Sequence, residues 1–204
     1  GEAYVLNGTK SVVALANNAE LFLVYANEEG QTEAFLIAAG AEGMTIGERD
    51  KLMGINAYET YRVTFENCRV PVTKKLGGEA GLNIDLIMNH SRVALGAAAV
   101  GIARAGFEYA KEYAKEREQF GQPIAQYQSI AFMLAEMAID VDAARLLVWE
   151  TAWLLDQGED ATRAATTMKY HIDDLVVRVA DCALQTLGGY GYIREYPVEL
   201  WLRN

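Results

Sequence analysis

Residues Lys115–Ala138 read KEREQFGQPIAQYQSIAFMLAEMA, and the division of this stretch decides the architecture. A charged, helix-like run ends in Arg117-Glu118-Gln119-Phe120-Gly121-Gln122-Pro123, and a second apolar-periodic run begins at once. Gly121 and Pro123 permit a turn, so two helices should meet at a short tip. An arginine, a glutamine and a phenylalanine occupy that tip, where water is expected. The local pattern leaves two readings open. Arg117 is a solvated charge and Phe120 a staple between helices, or the guanidinium offers its planar fork of donors to an anion.

Outward from the tip, the helical period extends in both directions. Upstream, Val93, Ala97, Val100, Ala103, Phe107, Ala110 and Ala114 step by three and four. Downstream, Ile130, Leu134, Met137, Val141, Ala144, Val148, Thr151 and Leu155 keep the same alternation, with Gly158 as the stop. A third helix carries Met168, Ile172, Leu175, Val179 and Cys182 and ends at Gly188-Gly189. Short connections between three amphipathic helices predict antiparallel packing. No fourth helix of equal quality follows, which points to closure by another subunit or by further chain.

The N-terminal third has a different period. Tyr61, Val63 and Phe65 alternate with Arg62, Thr64 and Glu66, the mark of a half-buried strand. ELFLVYA (Glu20–Ala26) and EAFLIAA (Glu33–Ala39) read as buried strands around a turn-rich NEEGQ. Asn7-Gly8 between apolar arms predicts a hairpin. After Pro71, KKLGGEAG reads as a linker. The expected fold is α+β: residues 1–75 a partial antiparallel β-barrel or sandwich, residues 76–204 an antiparallel helical bundle lacking its last part. Both ends look cut, as in a piece of a longer protein.

The chain has 28 acidic against 18 basic residues, a net charge of −10. That balance disfavours nucleic acid or an anionic membrane as the main partner. It leaves room for a small anion held by one local arginine. No run of about 18 apolar residues is present, so no membrane span is expected. Cys68 and Cys182 have no metal-type spacing and read as buried, reduced thiols of a cytoplasmic protein. No metal site is expected.

YVLNGTK, ETYRVTFENCRVP, the run from Ser91 through Ala138, and QTLGGYGYIREYPVE together resemble the middle and C-terminal parts of the acyl-CoA dehydrogenase family. The resemblance spans nearly the whole chain. It implies an FAD-dependent enzyme, usually tetrameric (a dimer is the other expectation), with the cofactor at a subunit interface. Such an enzyme takes an acyl-CoA thioester to the trans-2-enoyl-CoA and passes electrons to an electron-transfer flavoprotein. By the resemblance, Arg117 would meet the FAD pyrophosphate, with Gln119 and Phe120 beside it on a neighbouring subunit's cofactor. Gln185, Gly188 and Gly189 would line its adenosine and pyrophosphate part. Asn89 and Arg92 would fall in the acyl-CoA pocket. His90 reads as a surface residue at a helix start and His171 as a packing residue at the bundle edge.

Two departures stand out. The positions where relatives carry a Trp and a Thr against the flavin ring are Val12 and Ala14 here. The family's usual catalytic Glu lies beyond the EYPVE segment, and its alternative position is Ser91, which cannot act as a base at neutral pH. No catalytic residue is therefore assigned, and Glu195 and Glu199 do not lie at the required place. The fragment alone is expected to be inactive. The alternative reading is a non-catalytic or flavin-poor relative that serves as a binding or oligomerisation module.

Overall fold

A computed structural model describes residues 3–78 and 81–204. The chain divides into two compact units, residues 1–84 and 85–204, and each is built around its own core.

Among the described residues of the first unit, five strands form two antiparallel sheets. β1 (Ala3–Ala14), β5 (Thr60–Pro71) and β4 (Met44–Arg49) make one sheet in the order β1-β5-β4; β2 (Leu21–Glu28) and β3 (Gln31–Ala38) make the other. Apolar residues of both sheets, among them Leu6, Phe22, Val24, Phe35, Ile37, Tyr61, Val63 and Phe65, share one core. Among the described residues the sheets do not close, which corrects the barrel half of the expectation. The alternation of Tyr61, Val63 and Phe65 is realised as side chains 1–4% exposed. β4 carries only Met44 and Ile46 as large apolar residues, too few to announce a strand from sequence, yet it pairs with β5.

The expected Asn7-Gly8 hairpin does not form. β1 runs straight through, and the register on β5 shifts by one residue between Leu6 and Gly8. The extra residue lies on β5, where Asn67 takes φ +52° and donates its N–H to Asn7 Oδ1 at 2.7 Å. Asn-Gly here serves a bulge: Asn7 satisfies the backbone donor that the bulge frees, and Gly8 adopts φ +148°, which side-chain-bearing residues rarely reach. A second shift, between Lys10 and Val13, puts an extra residue on β1 at a place where Val12 takes φ +58°. The linker reading also needs revision at its start. Lys75 is held by Glu28 and Glu33, both at 3.1 Å, and these carboxylates push its ammonium pKa well up. The tail of that segment, Glu79-Ala80, lies outside the described residues.

The second unit contains α1 (Ile84–Glu116), α2 (Gln128–Asp156), α3 (Thr162–Leu187) and a short α4 (Val198–Arg203). The α2 stripe is buried as its period requires, at Met137, Val141, Ala144, Val148 and Thr151. Met168, Ile172, Leu175 and Val179 of α3 complete the same core, each at most 2% exposed. Full burial of side chains of this size is worth about 1.5–3 kcal/mol apiece. On α1 the buried face passes through Gly96 while Ala97 is exposed. A Cβ at Gly96 would lie 2.6 Å from Met168 Sδ, so α1 approaches α3 closely there, and a larger residue would require the Met168 side chain to shift. α1 is also long and apolar enough by composition to cross a membrane, but Val100, Ala103 and Ala110 are spent on the bundle core.

Two smaller expectations change. Cys182 is half-buried while Cys68 is fully buried; both thiols are free, and burial pushes both pKa values up. His171 is exposed on α3 where packing at the bundle edge was expected, and His90 is exposed as expected. Arg178 of α3 instead ties that helix to α2 through Asp140.

Candidate functional site

The connection between α1 and α2 is a miniature hairpin. β6 (Glu118–Gln119) pairs with β7 (Gln122–Pro123), leaving Phe120 and Gly121 as a two-residue loop with φ +52° and +84°. Positive φ at both loop residues is the geometry in which Asn-Gly is normally found. Here the first position carries a phenylalanine that is 95% exposed. Ile124 N–H donates to the Arg117 carbonyl at 2.8 Å, and the Tyr127 hydroxyl donates to the Gln119 carbonyl at 2.7 Å, so the tip is anchored on both sides.

The end of α3 lies against this hairpin. Gly188 stops the helix with φ +57° and ψ −130°, a conformation open to glycine. Gly191 is needed for space: a Cβ there would meet the Leu184 carbonyl oxygen at 2.5 Å. Gly189 is different, since a Cβ on it would meet nothing within 4 Å and its φ is not positive. The protein itself has no need for a bare backbone at Gly189.

Between the two segments lies a cavity of about 480 Å³, within the range of small-molecule sites. Arg117, Gln119, Gln185, Gly188, Gly189 and Tyr190 line it, with Ile124, Leu187 and Ile193 as its apolar wall. Residues almost 70 positions apart thus share one surface. The Arg117 guanidinium lies 5.4 Å from the centre of the Tyr190 ring. Burial pushes the neighbouring Tyr113 phenol up, with the charge of Arg117 pulling the other way. Phe120 does not line the cavity and projects into solvent beside it.

Asn89 and Arg92 lie near the start of α1. Asn89 is 3% exposed, and both ends of its amide are engaged: Nδ2 donates to Thr162 Oγ1 at 3.0 Å, and Oδ1 accepts from Arg92 Nη1 at 2.9 Å. Ser91 donates its hydroxyl to the Ile87 carbonyl at 3.0 Å. Glu199 is held below the usual carboxylate range by Arg203, at 3.1 Å, and Glu195 is exposed. In the first unit, Val12 is 57% exposed in the β1 bulge, and Ala14 pairs with Thr60. Thr162, Tyr190 and the apolar wall carried no signal in residue spacing. Among the described residues no cluster of potential metal ligands occurs.

A diphosphate-bearing nucleotide fits the cavity. It offers a fixed cation, two side-chain amides, an apolar wall and a bare backbone at Gly189 over open space that a Cβ would fill.

Comparison with known proteins bears on this geometry. Residues 83–204 match the profile of the acyl-CoA dehydrogenase C-terminal domain, and residues 1–68 that of the acyl-CoA dehydrogenase middle domain. An acyl-CoA dehydrogenase of Bacillus subtilis (strain 168) is 37% identical over 208 residues, covering 98% of this chain and 55% of that protein. The structure of butyryl-CoA dehydrogenase from Megasphaera elsdenii aligns with a TM-score of 0.86 at 36% identity, over 98% of this chain and 54% of that one. PigA, solved with FAD and proline, aligns with a TM-score of 0.88 at 28% identity, over 98% and 54%. The chain spans about half the length of the curated relatives it matches. By its two domain profiles and its fold, the chain belongs to the acyl-CoA dehydrogenase family.

Proposed function

We propose that this chain is the part of an FAD-dependent acyl-CoA dehydrogenase that grips the cofactor's diphosphate and supplies one wall of the acyl-CoA pocket. The whole protein would carry out α,β-dehydrogenation of an acyl-CoA thioester to the trans-2-enoyl-CoA. One observation carries the reading: the tip of α1 and the end of α3 converge on a cavity whose cation, Arg117, has no carboxylate partner among the described residues. Arg117 would bind the diphosphate, and the amides of Gln119 and Gln185 would hydrogen-bond its polar edges. The backbone at Gly188 and Gly189 would let the ligand approach closely. Phe120, exposed in a loop of fixed geometry, would pack on a cofactor held by a second copy of the chain. Bound FAD supplies the two-electron acceptor of the reaction.

At the other end of α1, Asn89 Oδ1 accepts a hydrogen bond from Arg92, and the guanidinium so held would face the acyl-CoA. No base is assigned within residues 1–204, since Ser91 is a hydroxyl committed to Ile87 and Glu199 is bound to Arg203. Assembly into a homo-oligomer, a dimer or tetramer, is supported by exposed apolar residues at seven-residue spacing on α2: Phe132, Ile139, Leu146 and Trp153. An electron-transfer flavoprotein would take the electrons onward. A reducing, cytoplasm-like setting suits the two free thiols. Val12 and Ala14 favour a second reading, a flavin-poor relative that binds without turnover.

The test is the visible spectrum after incubation with FAD and desalting, for the wild-type chain and Arg117→Ala. A retained, shifted flavin band in the wild type, lost in the variant, is expected. A colourless wild type would remove the cofactor-holding role from this chain. Retention by both proteins would remove it from Arg117.

A further inference from the structure

The arginines of this chain fall into three groups. Arg49, Arg104, Arg145, Arg178 and Arg203 pair with carboxylates. Arg62, Arg69, Arg163 and Arg194 are exposed to solvent. Arg92 and Arg117 are half-buried, and their described partners are neutral: the Asn89 amide for one, the Tyr190 ring for the other. Acid is not scarce, with 28 acidic residues in the chain. Glu116 and Glu118 flank Arg117 in sequence, yet both are exposed, and among the described residues neither forms an ion pair with it.

A π face attracts a guanidinium without cancelling its charge, and it orients the planar fork by stacking. A carboxylate would hold the side chain just as firmly but would quench the field that an incoming anion feels. The Tyr190 ring is itself braced. It lies 5.5 Å from the Tyr196 ring, tilted by 55°, and Tyr196 meets Tyr113 edge-on at 6.2 Å. Tyr113 is one helical turn before Arg117 and accepts the Arg117 backbone N–H at 2.8 Å. The stack therefore returns to the helix that carries the arginine.

We propose that Tyr190 is a positioning residue: it holds the Arg117 guanidinium uncancelled and facing the cavity, for the diphosphate of a nucleotide cofactor. The inference rests on the dinucleotide reading of the cavity and deepens it by naming the residue that keeps the cation available. Tyr190 is 42% exposed, so replacing it should leave the core intact.

The experiment titrates the chain with ADP, and separately with inorganic pyrophosphate, by calorimetry. Wild type, Tyr190→Phe and Tyr190→Leu are compared at two salt concentrations, and the Arg117 side-chain protons are followed by NMR. Phe keeps the ring and should bind within about twofold of wild type, with the Arg117 δ-protons still shifted upfield by the ring current. Leu should bind about tenfold more weakly, with a shallower salt dependence and the upfield shift gone. Equal binding by Leu and wild type would overturn the proposal, as would unshifted Arg117 protons in the wild type. If pyrophosphate follows the expected order but ADP does not bind, the nucleotide reading of the cavity fails while the role of Tyr190 stands. If neither ligand binds the wild type, both fall.

Discussion

Replacing Phe120 by Asn should make the isolated chain more stable while weakening its grip on a cofactor. Phe120 takes φ +52° in the first loop position of the β6–β7 hairpin, followed by Gly121 at +84°. A bulky L-residue in the left-handed region costs about 1–2 kcal/mol, and Asn tolerates it with less strain because its short polar side chain bonds locally. Replacing a large apolar side chain usually forfeits burial, but Phe120 is 95% exposed and has almost none to lose. The net expectation is a gain of about 1 kcal/mol, or a Tm rise of about 2–4 °C for a chain of this size. Trp149, Trp153 and Trp201 are the only tryptophans, and all lie in the helical unit. Urea unfolding followed by tryptophan fluorescence therefore reports on the unit that contains the hairpin. The reasoning is refuted if Phe120→Asn shifts the midpoint down, because Phe120 would then be packed in the free chain. It is equally refuted if FAD retention is unchanged, because the exposed ring would then serve no cofactor.

Gly191→Ala should destabilise the helical unit by about 1–3 kcal/mol, since its Cβ would lie 2.5 Å from the backbone oxygen of Leu184, which cannot rotate away; Gly189→Ala, with open space around it, should leave the urea midpoint unchanged. Asn89→Ala removes the hydrogen bonds of a buried amide to the half-buried Thr162 hydroxyl and to Arg92, and should cost about 1–3 kcal/mol by the same assay. Asn89→Asp should instead give Arg92 a carboxylate partner and lower acyl-CoA affinity in a calorimetric titration. The folded-state pKa of Glu199 is depressed by Arg203, so its contribution is present above the ordinary glutamate pKa and fades as pH falls through the lowered value. Wild type and Glu199→Gln should therefore converge in Tm toward acid pH; a constant gap would contradict this.

Much of the helical unit is legible in sequence because its period is enforced by a shared core. Met137, Val141, Ala144, Val148 and Thr151 are buried where a 4-3 alternation puts them. The slip on α1, with Gly96 inside and Ala97 outside, arises because a glycine at a close helix crossing contributes no apolar side chain to the pattern. Asn7-Gly8 misleads for a related reason: the same dipeptide that turns a hairpin also suits a bulge within a strand, and only the partner strand decides between them. β4 is hidden because its pairing energy is mostly backbone. At the candidate site, Arg117 and the Gln185–Gly191 segment can be picked out by residue type. Their convergence on one cavity is tertiary, as is the stacking of Arg117 on Tyr190. The roles of the three glycines near the end of α3 also separate only in three dimensions, into a stop, an opening and a tight contact.

The two bulges in the first sheet have a bearing on how this protein can change. β1 carries one extra residue around Val12 and β5 one around Asn67, so Ala3 still faces Pro71 and Ala14 still faces Thr60 while only the middle of the ladder is out of step. Each bulge is a place where the strand can change its length by one residue without a change of phase. Losing the unpaired residue at either bulge would leave a regular ladder there, with the pairs on both sides kept. Losing one residue elsewhere in the same strand would turn the inward residues of one end outward. Deletion of Asn67 or Val12 should therefore be tolerated by the sheet, and deletion of a paired neighbour should not.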